Sequence, residues 1–215
     1  MIPLLKQTPE LAVCVKPAGI AAQGQAPDAM PQLLGAQLGC TVFPVHRLDQ
    51  AVGGVMVYAK TAQEAARLTA LIAQGALEKT YLAVLTGCPA EKTGVLEDLL
   101  FHDRYKNKTY VVRRKRGGVK QARLAYEILA QQAGYTLARI RLETGRTHQI
   151  RVQFASRGFP LVGDGKYGSR DNRCACALWS YELRIPMKDG STQAFSALPD
   201  MQQYPWQLFA QVPGK

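Results

Sequence analysis

The 215 residues suffice for one sizeable domain or at most two small ones, and a composition of 47% hydrophobic and 20% charged residues excludes a disordered chain. No apolar run approaches the roughly 18 to 20 residues that span a bilayer, and the N-terminus lacks the pattern of a secretory signal, so we expect a cytoplasmic protein. The net charge of +11, from 27 Lys and Arg against 16 Asp and Glu, favours a polyanionic partner, chiefly nucleic acid.

Short strands and two helices are predicted in the first half of the chain. Apolar runs place strands at 11–15, 54–60 and 80–86 and some helix around 30–38. Thr61 and Glu64 have the spacing of a capping box, which predicts a helix that Gly75 ends.

The second half is predicted to be richer in strands. The predicted elements are strands at 108–113, 121–130, 135–143 and 178–185 and a short helix within 200–209. Thr147 is the expected N-cap of a helix over 148–157, with Gly158 as its left-handed stop. Because strands outnumber helices and often follow one another directly, we predict an α+β fold with a mixed, mainly antiparallel central sheet and flanking helices and loops.

The five cysteines form no recognisable framework. Their number is odd, and a zinc site at Cys174 and Cys176 needs two further ligands, whereas the three histidines are scattered. We therefore expect reduced, buried thiols and no metal.

The positive charge is concentrated in one segment. From Lys106 to Lys120 the chain reads KNKTYVVRRKRGGVK, with seven basic residues and no acidic one. One interpretation is a solvated hairpin that aids solubility, and the other is a phosphate-binding surface. Tyr105 and Tyr110 offer ring faces to unpaired bases, although tyrosines on strands serve packing as often.

The tetrad His46-Arg47-Leu48-Asp49 precedes a Gly-Gly pair and an apolar strand. An aspartate is a competent nucleophile when it is ionised, and a neighbouring guanidinium favours the ionised form. A structural Arg–Asp pair at the start of a strand explains the tetrad equally well.

The run Thr144–Arg151, TGRTHQIR, leads from a glycine turn into a predicted helix. His148 and Arg151 are three residues apart and are expected on one helix face, where the arginine fork suits a carboxylate or a phosphate. The alternative is an ordinary capped helix with a solvated basic face.

Two further stretches carry weaker signals. Tyr81, in the strand KTYLAV, is either a packed strand residue or a stacking platform for a flat ring. The stretch Gly163–Gly168, GDGKYG, resembles a phosphate loop, but Asp164 stands where that motif has lysine, which weighs against nucleotide hydrolysis.

In this order the motifs resemble the RluA-type family of RNA pseudouridine synthases, and the resemblance runs from about residue 11 to about residue 198. The matching blocks are His46–Asp49, Gly54–Lys60, Lys79–Ala83, Thr144–Arg151 and Gly163–Gly168. The resemblance implies isomerisation of a uridine in ribosomal or transfer RNA, with no metal or organic cofactor. Only residues 1–10 precede the first predicted strand, so we expect a single catalytic domain over residues 1–215 without the separate N-terminal RNA-binding domain of many relatives, and we expect a monomer.

The resemblance also implies roles for individual residues. Asp49 is implied as the catalytic aspartate, Arg151 as its partner and Tyr81 as the ring that stacks on the uracil. Further residues implied in RNA contacts or in shaping the site are Arg47, His46, Arg146, His148, Arg113, Arg114, Lys115 and Arg116.

The chain departs from the family pattern at three places. Val52-Gly53 replaces Thr-Ser after the tetrad, Gln153 replaces a histidine, and Trp179-Ser180 replaces His-Ala near the C-terminus. The change near Asp49 supports a second interpretation, a non-catalytic RNA-binding or ribosome-assembly protein derived from the family.

Overall fold

The structure is a computed structural model, and it describes residues 1–212. Its helices are α1 (Met30–Leu38), α2 (Ala62–Ala73) and α3 (Gln149–Ala155), with short 3-10 helices at Gly165–Tyr167 and Trp206–Phe209. Its strands are β1 (Leu4–Gln7), β2 (Leu11–Lys16), β3 (Phe43–Pro44), β4 (Gly53–Ala59), β5 (Glu78–Thr86), β6 (Thr93–Asp103), β7 (Lys108–Val112), β8 (Val119–Gln132), β9 (Tyr135–Leu142), β10 (Leu178–Pro186) and β11 (Thr192–Ser196).

The chain divides into two compact units. The first unit comprises Met1–Lys79 and Trp179–Pro199, and the second comprises Thr80–Leu178 and the described residues from Asp200 onward. The single catalytic domain over residues 1–215 stays a prediction.

The first unit is built around β4, all of whose residues are buried. Its strand order is β1-β2-β4-β10, and β4 pairs antiparallel with β2 and parallel with β10. A strand that is covered on both faces carries a continuous apolar run, and the sequence GGVMVYA has that character. Leu68 of α2 packs with Val55, Val57 and Leu183 into the core of this unit.

The strand order in the second unit is β5-β9-β8-β6-β7, and the pairs from β9 to β7 are antiparallel. The strand β6, which the sequence did not predict, pairs antiparallel with both β7 and β8. The basic segment 113–118 therefore joins two strands that lie on either side of β6, and β7 is the last strand of this order. Together with the parallel pair in the first unit, these pairings confirm the predicted α+β fold with a mixed, mainly antiparallel sheet.

The start of α2 is confirmed and the start of α3 is corrected. The Thr61 hydroxyl accepts from the Glu64 amide at 3.2 Å, as a capping residue does. The position before α3, however, is held by His148 with φ +53° and no side-chain cap, so the assignment of Thr147 as N-cap was wrong. Oε1 of Gln149, the first residue of α3, accepts from the amide of Arg146 in the preceding turn at 3.0 Å and so fixes that turn against the helix.

No helix within residues 1–212 has the length and apolar character needed to cross a membrane.

Candidate active site

The loop that carries Asp49 is fixed at both ends to β4. It begins after β3, where Phe43 and Pro44 pair with the end of β4, and it ends where β4 begins at Gly53. Within the loop the Val52 amide donates to the Asp49 carbonyl oxygen at 2.9 Å, which closes a tight turn. The half-buried Asp49 thus lies on a short constrained turn directly before a buried strand.

A buried lysine ties this loop to the preceding one. Lys16 is fully buried, and its ammonium group donates to the carbonyl oxygens of Pro17 at 2.8 Å, Ile20 at 2.7 Å and Gln50 at 3.3 Å. Burial lowers the pKa of Lys16 to about 8, and the negative charge of Asp49 acts in the opposite direction. At neutral pH Lys16 therefore keeps a positive charge that acts electrostatically on Asp49.

Sequence reasoning missed Lys16. The available signal was a lysine that ends the otherwise apolar strand LAVCVK, in which nearly every residue is buried. A buried lysine requires acceptors, and a turn of carbonyl groups follows it immediately.

His46 is anchored inside the first unit. Its Nε2 accepts from the backbone amide of Val57 in β4 at 3.1 Å, while its Nδ1 is buried and has no hydrogen-bond partner among residues 1–212. Burial, helped by the positive charge of Lys79, lowers the pKa of His46 to about 3. The ring is therefore neutral and carries its proton on Nδ1, whereas the neighbouring Arg47 is exposed.

Two of the departures from the family pattern compensate each other. A Cβ atom placed on Gly53 would come within 2.4 Å of the Trp179 ring. The missing side chain at position 53 therefore makes room for the large ring at position 179, whose Nε1 donates to the Ala197 carbonyl oxygen at 2.8 Å. The Trp179 ring thus packs against the start of β4, next to the Asp49 loop.

Arg151 is held rigidly in the second unit. It projects from α3, is 7% exposed, and forms a bidentate ion pair with Asp164, with Nε 2.7 Å and Nη2 2.8 Å from the carboxylate oxygens. Such paired bonds fix the plane and the direction of a guanidinium. The carboxylate that orients Arg151 is therefore Asp164, which stands where a phosphate-loop motif has lysine.

The remaining predicted residues of the second unit lie in different environments. His148 is buried, with Nδ1 2.8 Å from the Tyr167 hydroxyl, whereas Arg146 is exposed and its Nε donates to the Gln121 carbonyl oxygen at 2.9 Å. Tyr81 lies on β5 and is buried. His148 lies directly before α3 and not in its first turn, where it was predicted, and both His148 and Arg151 contact Tyr167.

Gln153, the third departure, has a structural function. It is fully buried, and its Nε2 donates to the Leu96 carbonyl oxygen at 3.2 Å and to the Asp98 carboxylate at 2.8 Å. Both contacts reach β6, so the side chain fastens α3 to the sheet of the second unit.

The basic loop that follows β7 is exposed. Its cations are Arg113, Arg114, Lys115 and Arg116, and among residues 1–212 none of them forms an ion pair with a carboxylate. Arg116 lies over the Phe101 ring, 5.0 Å from its centroid. At the other end of β7, Tyr105 is 98% exposed.

No group of three or more metal-ligating side chains that could hold an ion is found within residues 1–212. The cysteines there are free thiols, with Cys14 and Cys176 buried.

Comparisons with known proteins identify relatives of the chain. A family model described as RNA pseudouridylate synthase matches residues 10–156. An uncharacterized RNA pseudouridine synthase of Zymomonas mobilis is 37% identical over 145 residues, which cover 66% of this chain and 65% of the relative. The ribosomal large subunit pseudouridine synthase D of Nitrosomonas europaea is 36% identical over 169 residues, which cover 73% of this chain and 48% of the relative. The chain thus spans about half to two thirds of the length of these relatives.

A solved structure shares the fold. The human RNA pseudouridylate synthase domain containing 4 superposes with a TM-score of 0.78 at 24% identity, over 93% of this chain and 89% of that one. This similarity confirms the predicted pseudouridine synthase fold.

We predict an acid-dependent loss of stability that originates at His46. A histidine in the unfolded chain titrates near 6.5, whereas burial lowers the pKa of His46 to about 3, so between these values the unfolded chain binds a proton that the folded chain excludes. The free energy of unfolding of the wild type should therefore fall relative to His46→Gln by about 1 kcal/mol per pH unit between about pH 6 and pH 4. Urea titrations at several pH values measure this slope, and His102→Gln is the control. Equal losses of stability with falling pH in the wild type and in His46→Gln would refute the assignment of the acid sensitivity to His46.

We predict that Gly53 and Trp179 are energetically coupled. Gly53→Ala places a methyl group against the ring and should lower the free energy of unfolding by about 1–3 kcal/mol, with a smaller loss in a Trp179→His background. Urea unfolding of both singles and the double variant gives the coupling energy. Gly117→Ala is the control, since nothing lies within 4 Å of its added Cβ, and additive effects of the two substitutions would contradict the compensation.

Proposed function

The chain belongs to the RNA pseudouridylate synthase family, and on that premise we propose that it isomerises a specific uridine of ribosomal or transfer RNA to pseudouridine. The observation that carries the proposal is the family match over residues 10–156, which includes Asp49, Tyr81 and Arg151. The RluA-type resemblance of the motifs is confirmed by relatives named ribosomal large subunit pseudouridine synthase D. Those names favour ribosomal RNA as the substrate and, with it, a cytoplasmic location.

The proposed reaction is an isomerisation that requires few chemical groups. The N1–C1′ bond of the uridine breaks, the uracil turns, and a C5–C1′ bond forms, while C5 loses its proton and N1 gains one. The reaction has no redox step and no leaving group departs, so it requires neither a metal nor an organic cofactor. One ionised carboxylate, a flat wall for the detached uracil and the exclusion of water are sufficient.

We assign these tasks to three residues. Asp49 is the catalytic carboxylate, Arg151 its charge partner and Tyr81 the ring on which the uracil stacks. The positive charge of the buried Lys16 interacts with Asp49, and the bidentate pair with Asp164 supports a fixed direction for Arg151.

RNA binding is assigned to the exposed cations. A uridine inside stacked RNA must be extruded before it can react, which costs a few kcal/mol and least in loops. Phosphate contacts by the basic loop offset this cost, and its four cations are exposed and have no carboxylate partner within residues 1–212. Arg47, also exposed, is proposed to contact RNA near the extruded nucleotide.

The non-catalytic interpretation is the alternative function for this chain. It rests on the replacement of Thr-Ser by Val52-Gly53, and the contact with the Trp179 ring gives a packing reason for Gly53. The same assay that tests catalysis separates the two functions, because a pure binder retards RNA and never produces pseudouridine.

We predict that Asp49→Asn abolishes pseudouridine formation, with a loss of at least about a thousandfold, because the amide lacks the charge of the carboxylate. RNA affinity should stay within about threefold, since the substitution keeps the size of the side chain and removes no cation. Unmodified transcripts of large-subunit ribosomal RNA and of transfer RNAs are incubated with each protein, and pseudouridine is mapped by chemical labelling. The exposed Asp28→Asn serves as the matched control, and a normal rate in Asp49→Asn would disprove the role of Asp49.

We predict that the basic loop sets the salt dependence of RNA binding. Replacing Arg114 and Lys115 with glutamine removes two phosphate contacts, so the slope of log affinity against log salt should fall by about 1.4, with about tenfold weaker binding near physiological salt. Filter binding between about 50 and 300 mM salt measures the slope. Exchanging Lys6 and Lys92 for glutamine is the control for net charge, and equal slopes in both double variants would refute a specific role for the loop.

A further inference from the structure

Tyr167 lies where three elements of the second unit meet. It ends the 3-10 helix Gly165–Tyr167, and its hydroxyl accepts from the backbone amide of Thr109 in β7 at 2.8 Å. The same hydroxyl is 2.8 Å from Nδ1 of His148, which directly precedes α3. One phenol group therefore joins β7, the start of α3 and the segment that carries Asp164.

The direction of these hydrogen bonds follows from the groups involved. The amide of Thr109 can only donate, so the phenolic oxygen accepts there, while the direction of the bond to Nδ1 of His148 is set by the tautomer of the imidazole. Burial raises the pKa of Tyr167, so the phenol keeps its hydrogen at neutral pH. Thr109 is itself buried, and its hydroxyl donates to the Thr147 carbonyl oxygen at 2.9 Å, which adds a second bond between β7 and the residues before α3.

The ring of Tyr167 also supports Arg151. The guanidinium carbon lies 5.1 Å from the ring centroid, a distance at which a cation is attracted to the ring face. Asp164 binds the edge of the guanidinium through two hydrogen bonds, and the guanidinium carbon lies over the Tyr167 ring. Two residues of one short segment therefore contact the Arg151 guanidinium.

The strand β7 connects this support to the exposed basic surface. Its first residue, Lys108, places its ammonium group 5.5 Å from the centroid of the Tyr167 ring. The strand runs directly into the basic loop with Arg113 and Arg114, and Tyr105 is exposed at its other end. Thr109 belongs to this strand, so a shift of β7 also moves the amide that donates to the Tyr167 hydroxyl.

We propose that Tyr167 is a positioning residue that couples RNA contact along β7 to the orientation of the Arg151 guanidinium. The inference rests on the proposed function, which gives Arg151 to the catalytic aspartate. RNA bound at the exposed ends of β7 holds the strand in position. The Thr109 amide then holds the Tyr167 hydroxyl, and the ring of Tyr167 holds the Arg151 guanidinium.

The test separates the hydroxyl from the ring. Tyr167→Phe keeps the ring beneath Arg151 and removes both hydrogen bonds, whereas Tyr167→Leu removes the ring as well. Tyr126→Phe is the matched control, because it also removes a phenolic hydroxyl from a half-buried tyrosine. The ring of Tyr126 packs on Phe154 and not on Arg151.

Single-turnover pseudouridine formation in an unmodified large-subunit ribosomal RNA transcript is measured beside the dissociation constant for the same RNA. We expect about a tenfold slower rate for Tyr167→Phe, corresponding to about 1.4 kcal/mol, with affinity within twofold of wild type. Tyr167→Leu should be slower still, and Tyr126→Phe should match the wild type. A wild-type rate in Tyr167→Phe, or a loss confined to RNA affinity, would overturn the inference.

A second readout does not depend on turnover. The Nε–H resonance of Arg151, assigned with Arg151→Lys, is followed while a stem-loop oligonucleotide with uridines in its loop is added. The signal should shift in the wild type and shift far less in Tyr167→Phe, and equal shifts would overturn the coupling. If the wild type forms no pseudouridine on any transcript, the proposed function fails while this comparison still decides the role of Tyr167.

Discussion

The buried ammonium of Lys16 is the constraint on which the geometry around Asp49 depends. Placing a charge in the protein interior costs several kcal/mol unless hydrogen bonds replace its hydration. Lys16 recovers this hydration from three carbonyl oxygens, those of Pro17, Ile20 and Gln50, which belong to two separate loops. Any movement of the Asp49 loop that withdraws the Gln50 carbonyl leaves the charge less well solvated, so the conformation of the turn and the burial of the lysine depend on each other.

Local sequence patterns predicted the elements that depend on short-range hydrogen bonds or on the burial of a continuous apolar run. The strand β4 and the cap of α2 were found because a continuous apolar run and the Thr61–Glu64 spacing are visible in the sequence. The strand β6 was missed because it carries acidic residues, whose partners lie far away in the sequence. The Asp98 carboxylate forms an ion pair with Arg157 and accepts a hydrogen bond from Gln153, both in the region of α3. Thr147 looked like a cap, but the helix begins one residue later than its position indicated, with His148 in a left-handed conformation directly before it.

The candidate site was predicted in its residues and not in their contacts. Motif spacing singled out Arg151 and also drew attention to the stretch that contains Asp164, yet only the folded chain shows that the two form a bidentate pair. Lys16 and Tyr167 were not predicted, because a buried lysine and a phenol become informative only once their acceptors and donors are known. The same holds for His46, because the motif did not reveal that its ring accepts a hydrogen bond from the backbone of β4.

The contact between Gly53 and the indole of Trp179 makes these two positions interdependent. A Cβ atom at position 53 would lie 2.4 Å from the ring, so a larger residue there is compatible with the tryptophan only if the ring or the strand shifts. The effect of a substitution at either position therefore depends on the residue at the other. An engineered variant that restores a side chain at position 53 should exchange position 179 at the same time.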